Sequence, residues 1–210
     1  MFFDGQVCMA SDQSPQKTRG RPKTMKRQEV IGHATALYWR NGYPAISLNE
    51  LCRRLSISKP SLYREFGGED GLVNAVLSHY REAVIKPFLS YLELEQPFAE
   101  LLEALIVGMT APREFPPGCL FTEMRLIRTH LGPASMERLD SIEEERRTAF
   151  EHWYENALSK GEVNPDITAA QAASFIDAQF TLILLHMGQA YTAERVQQEA
   201  RLAMSILLKS

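Results

Sequence analysis

Cysteine is scarce in this sequence and widely spread. Cys8, Cys52 and Cys119 are odd in number and form no Cys-x-x-Cys. That argues against a disulfide framework or a structural zinc site and makes the cytosol the default compartment. Long apolar runs are missing too: the stretch from Phe180 to Met187 is interrupted by Thr181 and His186 and falls far short of a membrane span. No basic segment leads into an apolar core at the N-terminus, where Asp4 stands, so no secretory signal is expected. Catalytic signatures are also lacking. His33, His79, His130, His152 and His186 are scattered, with no His-Glu-x-x-His, no Gly-x-Ser-x-Gly and no glycine-rich phosphate loop. Cys119 and His130 fall on one expected helix, about 16 Å apart, too far for a nucleophile and its base. No catalytic residue, metal ligand or cofactor is expected.

What is present is an ordinary globular composition: 210 residues, 45% hydrophobic and 23% charged. That length suggests one or two domains with a sizeable core. The charge is unevenly placed. Residues 1–66 hold eleven Lys+Arg against five Asp+Glu, net +6, whereas residues 67–210 carry net −9, giving −3 for the chain. A basic head on an acidic body is the electrostatic footprint of a polyanion binder. Docking of the head on an anionic membrane is disfavoured, because the head has no continuous apolar face opposite a basic one.

Residues 1–18 read as a polar, irregular arm, and Thr18-Arg19-Gly20-Arg21-Pro22-Lys23 continues it with basic residues among Gly and Pro. From about Lys26 the pattern is helical to the end, with no alternating run to support a strand. A first helix is expected over about Lys26 to Arg40, with Val30, Ala34, Leu37 and Tyr38 on one face and Asn41-Gly42 as its stop. Ser47 offers an N-cap and Glu50 completes a capping box. The short helix that follows buries Leu48, Leu51, Cys52 and Leu55. After the turn Leu55-Ser56-Ile57-Ser58, Ser58 caps a second short helix, Lys59 to Phe66, with Pro60 in its first turn and Leu62 and Phe66 inward. This is the helix-turn-helix pattern, whose second helix enters the major groove. Lys59, Pro60, Ser61, Tyr63 and Arg64 point outward and suit phosphate and base edges. Ser47, Asn49 and Ser58 are further candidate DNA contacts. In the arm, Arg19, Arg21 and Lys23 are placed to enter a narrow minor groove or meet phosphate.

At this point a family resemblance is visible. Leu48-x-x-Leu51-Cys52-x-x-Leu55-Ser56-Ile57-Ser58-Lys59-Pro60-Ser61-Leu62-Tyr63-x-x-Phe66, with Asn41-Gly42-Tyr43 before it and Gly71-Leu72 after, resembles the DNA-binding head of TetR-type transcriptional regulators. The resemblance covers roughly Lys23 to His79. Beyond that it lies in length and all-helical character. Two departures stand out: Ser56 replaces the usual turn glycine, and Gly68-Glu69-Asp70 occupies the region where a Lys-Glu pair usually supplies a phosphate contact. Arg53, Arg54 and Arg64 are the cations available to compensate.

Six helical segments are expected from Glu69 onward: Glu69 to Leu94 kinked at Pro87, Pro97 to Ala111, Cys119 to Leu131, Pro133 to Lys160, Thr168 to Gln189 and Thr192 to Leu208. The last two are apolar on more than one face, which calls for burial. With the resemblance, Phe175, Ile176, Leu182, Ile183, Ala200, Ala203, Met204 and Leu207 are expected at a two-fold, four-helix homodimer interface. Similar regulators hold an effector between the middle helices, which makes Cys119, Phe121, Met124, Ile127, Phe150, Trp153, Tyr154 and Phe180 candidate pocket residues; the same residues also suit plain core packing. Gly118-Cys119-Leu120 resembles a subgroup that senses electrophiles or oxidants. Cys119 opens a helix whose positive end favours a thiolate, with Arg113, Arg125 and Arg128 assisting and Glu114 and Glu123 opposing; a small buried packing residue is the alternative.

The expectation is an all-α chain of three parts: a basic arm (1–23), a helix-turn-helix DNA-binding domain (24–84, the motif at about 47–66), and an effector-binding and dimerisation domain (85–210). Its partners would be a double-stranded DNA operator, a small-molecule effector and a second copy of itself, with no membrane. Repressor is the primary reading; activator and effector-independent DNA binder are the alternatives. The kinked segment from Glu69 to Leu94 is the expected lever between effector and head.

Overall fold

The computed structural model describes residues 27–43, 45–112 and 118–209. Helix follows helix: α1 (Arg27–Asn41), α2 (Leu48–Arg54), α3 (Lys59–Phe66), α4 (Glu69–Tyr80), α5 (Lys86–Tyr91), α6 (Phe98–Thr110), α7 (Leu120–Leu126), α8 (Pro133–Ser159), α9 (Ala169–Gly188) and α10 (Ala193–Met204). Among the described residues the only extended pairing is an isolated bridge between Val163 and Leu208. None of these helices is long and apolar enough to cross a membrane.

Local chemistry sets the boundaries. Ser58 accepts the Ser61 amide at 3.2 Å and starts α3. Thr168 and Gln171 close a full capping box on α9. At α2 only half a box forms: Ser47 accepts the Glu50 amide at 3.2 Å, but the Glu50 carboxylate turns away to Arg53 and Arg54. The turn between α2 and α3 passes through Ser56 at φ +52°, the left-handed region that a β-carbon disfavours.

Three expected helices end differently; the last, expected to reach Leu208, stops at Met204 and gives way to a 3₁₀ turn over Ser205–Leu207. The segment from Glu69 does not run unbroken to Leu94; it widens into a π-turn over Arg81–Ile85, resumes as α5 and stops at Tyr91. Pro87 lacks an amide and its ring crowds the carbonyl four residues back. The widened turn, closed by the Lys86 amide on the Arg81 carbonyl, accommodates both within a continuous helical path. The helix at Cys119 ends at Leu126 rather than Leu131, followed by a single 3₁₀ turn at Arg128–His130. Cys119 and His130 therefore share no helix.

The head packs α1 and α3 against α4, with Val30, Ala34, Tyr38, Leu51, Leu55, Leu62 and Leu72 buried. In the body, α8 lies along α9, and α10 packs on α6 and α9. Its centre is aromatic. Phe88, Phe150 and Phe180 meet edge to face with centroids 5.7–6.1 Å apart. Phe98 stacks at a tilt on Trp153, 4.3 Å away. Such pairs contribute about 0.5–1.5 kcal/mol each beyond the apolar area they bury.

Candidate nucleic-acid interface

α3 is held at both ends and presents its outer face to solvent. Leu62 and Phe66 anchor it inward, and Arg27 of α1 ties its far end by an ion pair to Glu65 at 3.3 Å and a position over the Phe66 ring. Lys59, Pro60, Tyr63 and Arg64 are exposed side by side, Tyr63 at 55%. Ser61 is half-buried and accepts a hydrogen bond from the Ser58 hydroxyl at 2.9 Å, so the two hydroxyls cap the helix together. Ser47 and Asn49 are exposed on α2 and its cap. Arg19, Arg21 and Lys23 lie outside the described residues.

The expected reserve of positive charge is partly spent. Glu50 holds Arg53 through two bonds of 2.8 and 2.6 Å and Arg54 through one of 2.6 Å, and these bonds keep its carboxyl below the ordinary range. Residues three and four apart on a helix face each other, so the Glu50 fork was legible in the spacing, but the capping-box reading assigned Glu50 elsewhere. Arg64 carries no such intrahelical partner among the described residues.

Below the head, the candidate effector residues are core. Phe121, Met124, Phe150, Tyr154 and Phe180 are fully buried, Cys119 and Trp153 nearly so, and Ile127 half-buried. An apolar cleft does open in the body, but between α5 and α6. It is lined by Pro87, Phe88, Tyr91, Ala104, Leu105, Gly108 and Met109 and is shallow, its space largely open to solvent. None of the expected pocket residues lines it. Phe88 belongs to both the cleft and the aromatic cluster, lining the one and meeting Phe150 and Phe180 edge to face in the other.

Behind that cluster lies an ionic network that sequence reading missed. Arg146 of α8, its side chain only 7% exposed, donates to Asp177 of α9 at 2.6 Å and lies over the rings of Phe88, Phe121 and Phe150. Arg125 of α7 takes the other Asp177 oxygen at 2.8 Å and also meets Glu143. Arg128 pairs with Asp140 and Glu143. Burial pushes the Asp177 carboxyl upward, but Arg146 and Arg125 outweigh it and hold the group below its usual value.

These commitments correct the picture at Cys119. Arg125 and Arg128 are turned to carboxylates, and Arg113 and Glu114 lie outside the described residues. The sulfur's polar neighbour is instead the Tyr80 hydroxyl at 3.2 Å. The Tyr80 ring packs edge-on against Trp39 of α1, 5.2 Å away. Cys52 is a buried packing residue, and Cys8 lies outside the described residues.

The candidate dimer residues also divide. Ile176, Ile183, Ala200, Met204 and Leu207 are buried within one chain. The apolar surface that α9 and α10 leave open consists of Leu182 at 40%, Leu202 at 79% and Ile206 at 58%, with Phe175 and Ala203 half-buried nearby in the sequence.

Comparison with known proteins agrees with this architecture. Residues 30–76 match the family model described as bacterial regulatory proteins, tetR family. The chain is 27% identical over 205 residues to the HTH-type transcriptional repressor ComR of Escherichia coli K12, covering 91% of this chain and 94% of that protein. It is 34% identical over 83 residues to the repressor BdcR of the same organism, which spans 40% of this chain and 42% of BdcR. A cysteine mutant of the TetR family regulator CifR, solved with a 26-base-pair operator, superposes with TM-score 0.72 at 24% identity over 90% of this chain and all of that one. Reduced E. coli NemR superposes at 0.73 with 16% identity, over 88% and 97% of the two chains. With residues 30–76 matching the tetR head and the chain sharing the fold of these regulators, the chain is a DNA-binding transcriptional regulator rather than an enzyme.

Proposed function

We propose that the protein is a repressor that binds an inverted-repeat operator as a homodimer and is released by an effector. Residues 24–84 act as the reading head and 85–210 as the effector and dimerisation body, working in the cytoplasm. The observation that carries this reading is the exposed row Lys59, Pro60, Tyr63 and Arg64 on a short helix fixed at both ends. Residues at the N-terminus of such a helix contact base edges while their neighbours meet phosphate. The full-length similarity to a protein named a repressor supports repression. Arg19, Arg21 and Lys23 supply minor-groove or phosphate contacts, and the DNA duplex is the principal partner. A two-fold dimer would place two α3 helices about 34–36 Å apart, joined through Leu182, Leu202 and Ile206.

The effector is assigned to the cleft between α5 and α6. The cleft is shallow and largely open to solvent, well short of the enclosed space of a small-molecule site, so occupancy would require the Phe88 ring to move. A redox route is the second reading. The Tyr80 contact favours it, because a larger group on the Cys119 sulfur would displace Tyr80 and disturb Trp39 in the head.

Selection from random duplexes by the purified protein tests the reading. Enrichment of an inverted repeat with a steep salt dependence is expected, and no enrichment at moderate salt would overturn it. Thiol oxidation or alkylation should weaken operator binding in the wild type but not in Cys119→Ser. Equal sensitivity of the two would remove the redox reading.

A further inference from the structure

Polar contacts between α4 and α8 keep a constant offset along both helices. In the first turn of α4, the Asp70 carboxylate accepts the amides of Ala134 and Ser135, each at 2.9 Å, and the Ser135 hydroxyl at 2.5 Å. That hydroxyl also reaches the Asp70 carbonyl at 3.0 Å. A turn later Arg138 donates to Asn74 at 3.2 Å, and at the π-turn Arg81 forks onto Glu145 at 2.7 and 2.8 Å. The partners are separated by 64 or 65 residues at every step, which is the register of two helices running parallel.

Asp70 is the tightest of these ties. It satisfies two of the amides that a helix leaves open at its N-terminus, and its charge faces the positive end of a 27-residue helix. Ser135 is fully buried beneath it. Gly132 permits the approach, since a β-carbon there would lie 2.4 Å from the Asp70 carboxyl carbon. The next residue after Asp70 seats the reading helix: a β-carbon on Gly71 would fall 1.6 Å from the Phe66 carbonyl oxygen at the end of α3. The contact that caps α8 and the contact that seats α3 are thus adjacent in the chain.

We infer that Asp70 is a positioning residue for operator reading: by capping α8 it fixes the angle of α3 to the body, so that α8 and α4 move as one rod. This rests on the repressor reading above. α8 also carries Arg146, which meets α9, Glu143, which meets α7, and Asp140, which meets the 3₁₀ turn at Arg128, so a change in the body reaches the head through this rod. The kinked segment from Glu69 is then not a free lever; its first twelve residues are pinned along α8.

The test uses full-length protein and the inverted repeat recovered by selection, with the spacer lengthened or shortened by one or two base pairs. Wild-type protein should prefer its own spacer by about tenfold or more, within the usual range of coupling between sites. Asp70→Asn and Gly132→Ala should lose most of that preference while keeping wild-type affinity for unrelated duplex. Ser135→Ala, which removes only the hydroxyl, should lose less. Retention of the full preference in folded Asp70→Asn or Gly132→Ala would overturn the inference, and so would an equal loss of operator and unrelated-duplex binding. Absence of spacer preference in the wild type would also overturn it. If Asp70→Asn fails to fold, Gly132→Ala and Ser135→Ala decide the matter. Failure of the wild type to enrich any inverted repeat would instead strike the repressor reading itself.

Discussion

Ser56 and Glu123 are two side chains held at a cost. Ser56 sits at φ +52° in the turn that sets α3 against α2, a conformation that costs a non-glycine residue about 1–2 kcal/mol. Glycine relieves that strain but loses more entropy on folding. Ser56→Gly should therefore raise stability by about 0.5–1 kcal/mol, read as a higher melting temperature with operator affinity unchanged. Glu123 is half-buried on α7 with no cation paired to it among the described residues, and burial pushes its carboxyl up to about 7. Its folded state therefore holds a proton that the unfolded chain has already released, and stability falls as the pH rises from about 4.5 to 7. Glu123→Gln should remove that loss: a melting temperature above wild type at pH 8, and close to it at pH 5. An identical pH slope in the two proteins would contradict this. The raised carboxyl could not be read from sequence, because it depends on what covers Glu123.

Between elements, close approach decides. Gly71→Ala drives a β-carbon into the Phe66 carbonyl, a clash with backbone that no rotamer relieves. The expected result is a loss of several kcal/mol, or a head that no longer binds operator while the body stays helical; urea unfolding followed by two probes would separate these. The short helices of the head were legible because their signals are local: Ser47, Ser58 and Pro60 act within one turn. The early stop at Leu126 was not, because Leu126, Ile127 and Leu131 continue an apolar pattern that tertiary contacts override. α10 shows a second limit. Val196, Ala200 and Met204 form its inward stripe and Leu207 is buried in the 3₁₀ turn Ser205–Leu207 that follows, while Leu202 lies two residues off the stripe, about 200° around the helix, and Ile206 is exposed in that turn. Sequence revealed that α10 is apolar on two faces, but not which face the chain itself covers. For the same reason the sequence places Met204 and Leu207 at an interface, while both are already buried within the chain.

For the molecule as a whole, the basic head and acidic body are joined by α4 and its contacts with α8. The helix-turn-helix was visible in the sequence from Ser47 to Phe66; the Arg146–Asp177 network and the Asp70 cap were not, since each joins residues more than thirty positions apart. Assembly is expected to rest on what remains exposed. Replacing Leu202 by Arg, at a site 79% exposed, should leave the chain folded and shift it to monomer in sedimentation, with operator affinity falling together with the dimer. A dimer that persists would move the interface elsewhere. The most direct test of the central claim is a footprint of the protein on the duplex it selects. Two major-groove patches on one face of the DNA, a helical turn or a multiple of it apart and both lost in the Lys59→Ala, Arg64→Ala double variant, are the predicted result. A single patch, or protection unchanged in that variant, would contradict reading by two copies of α3.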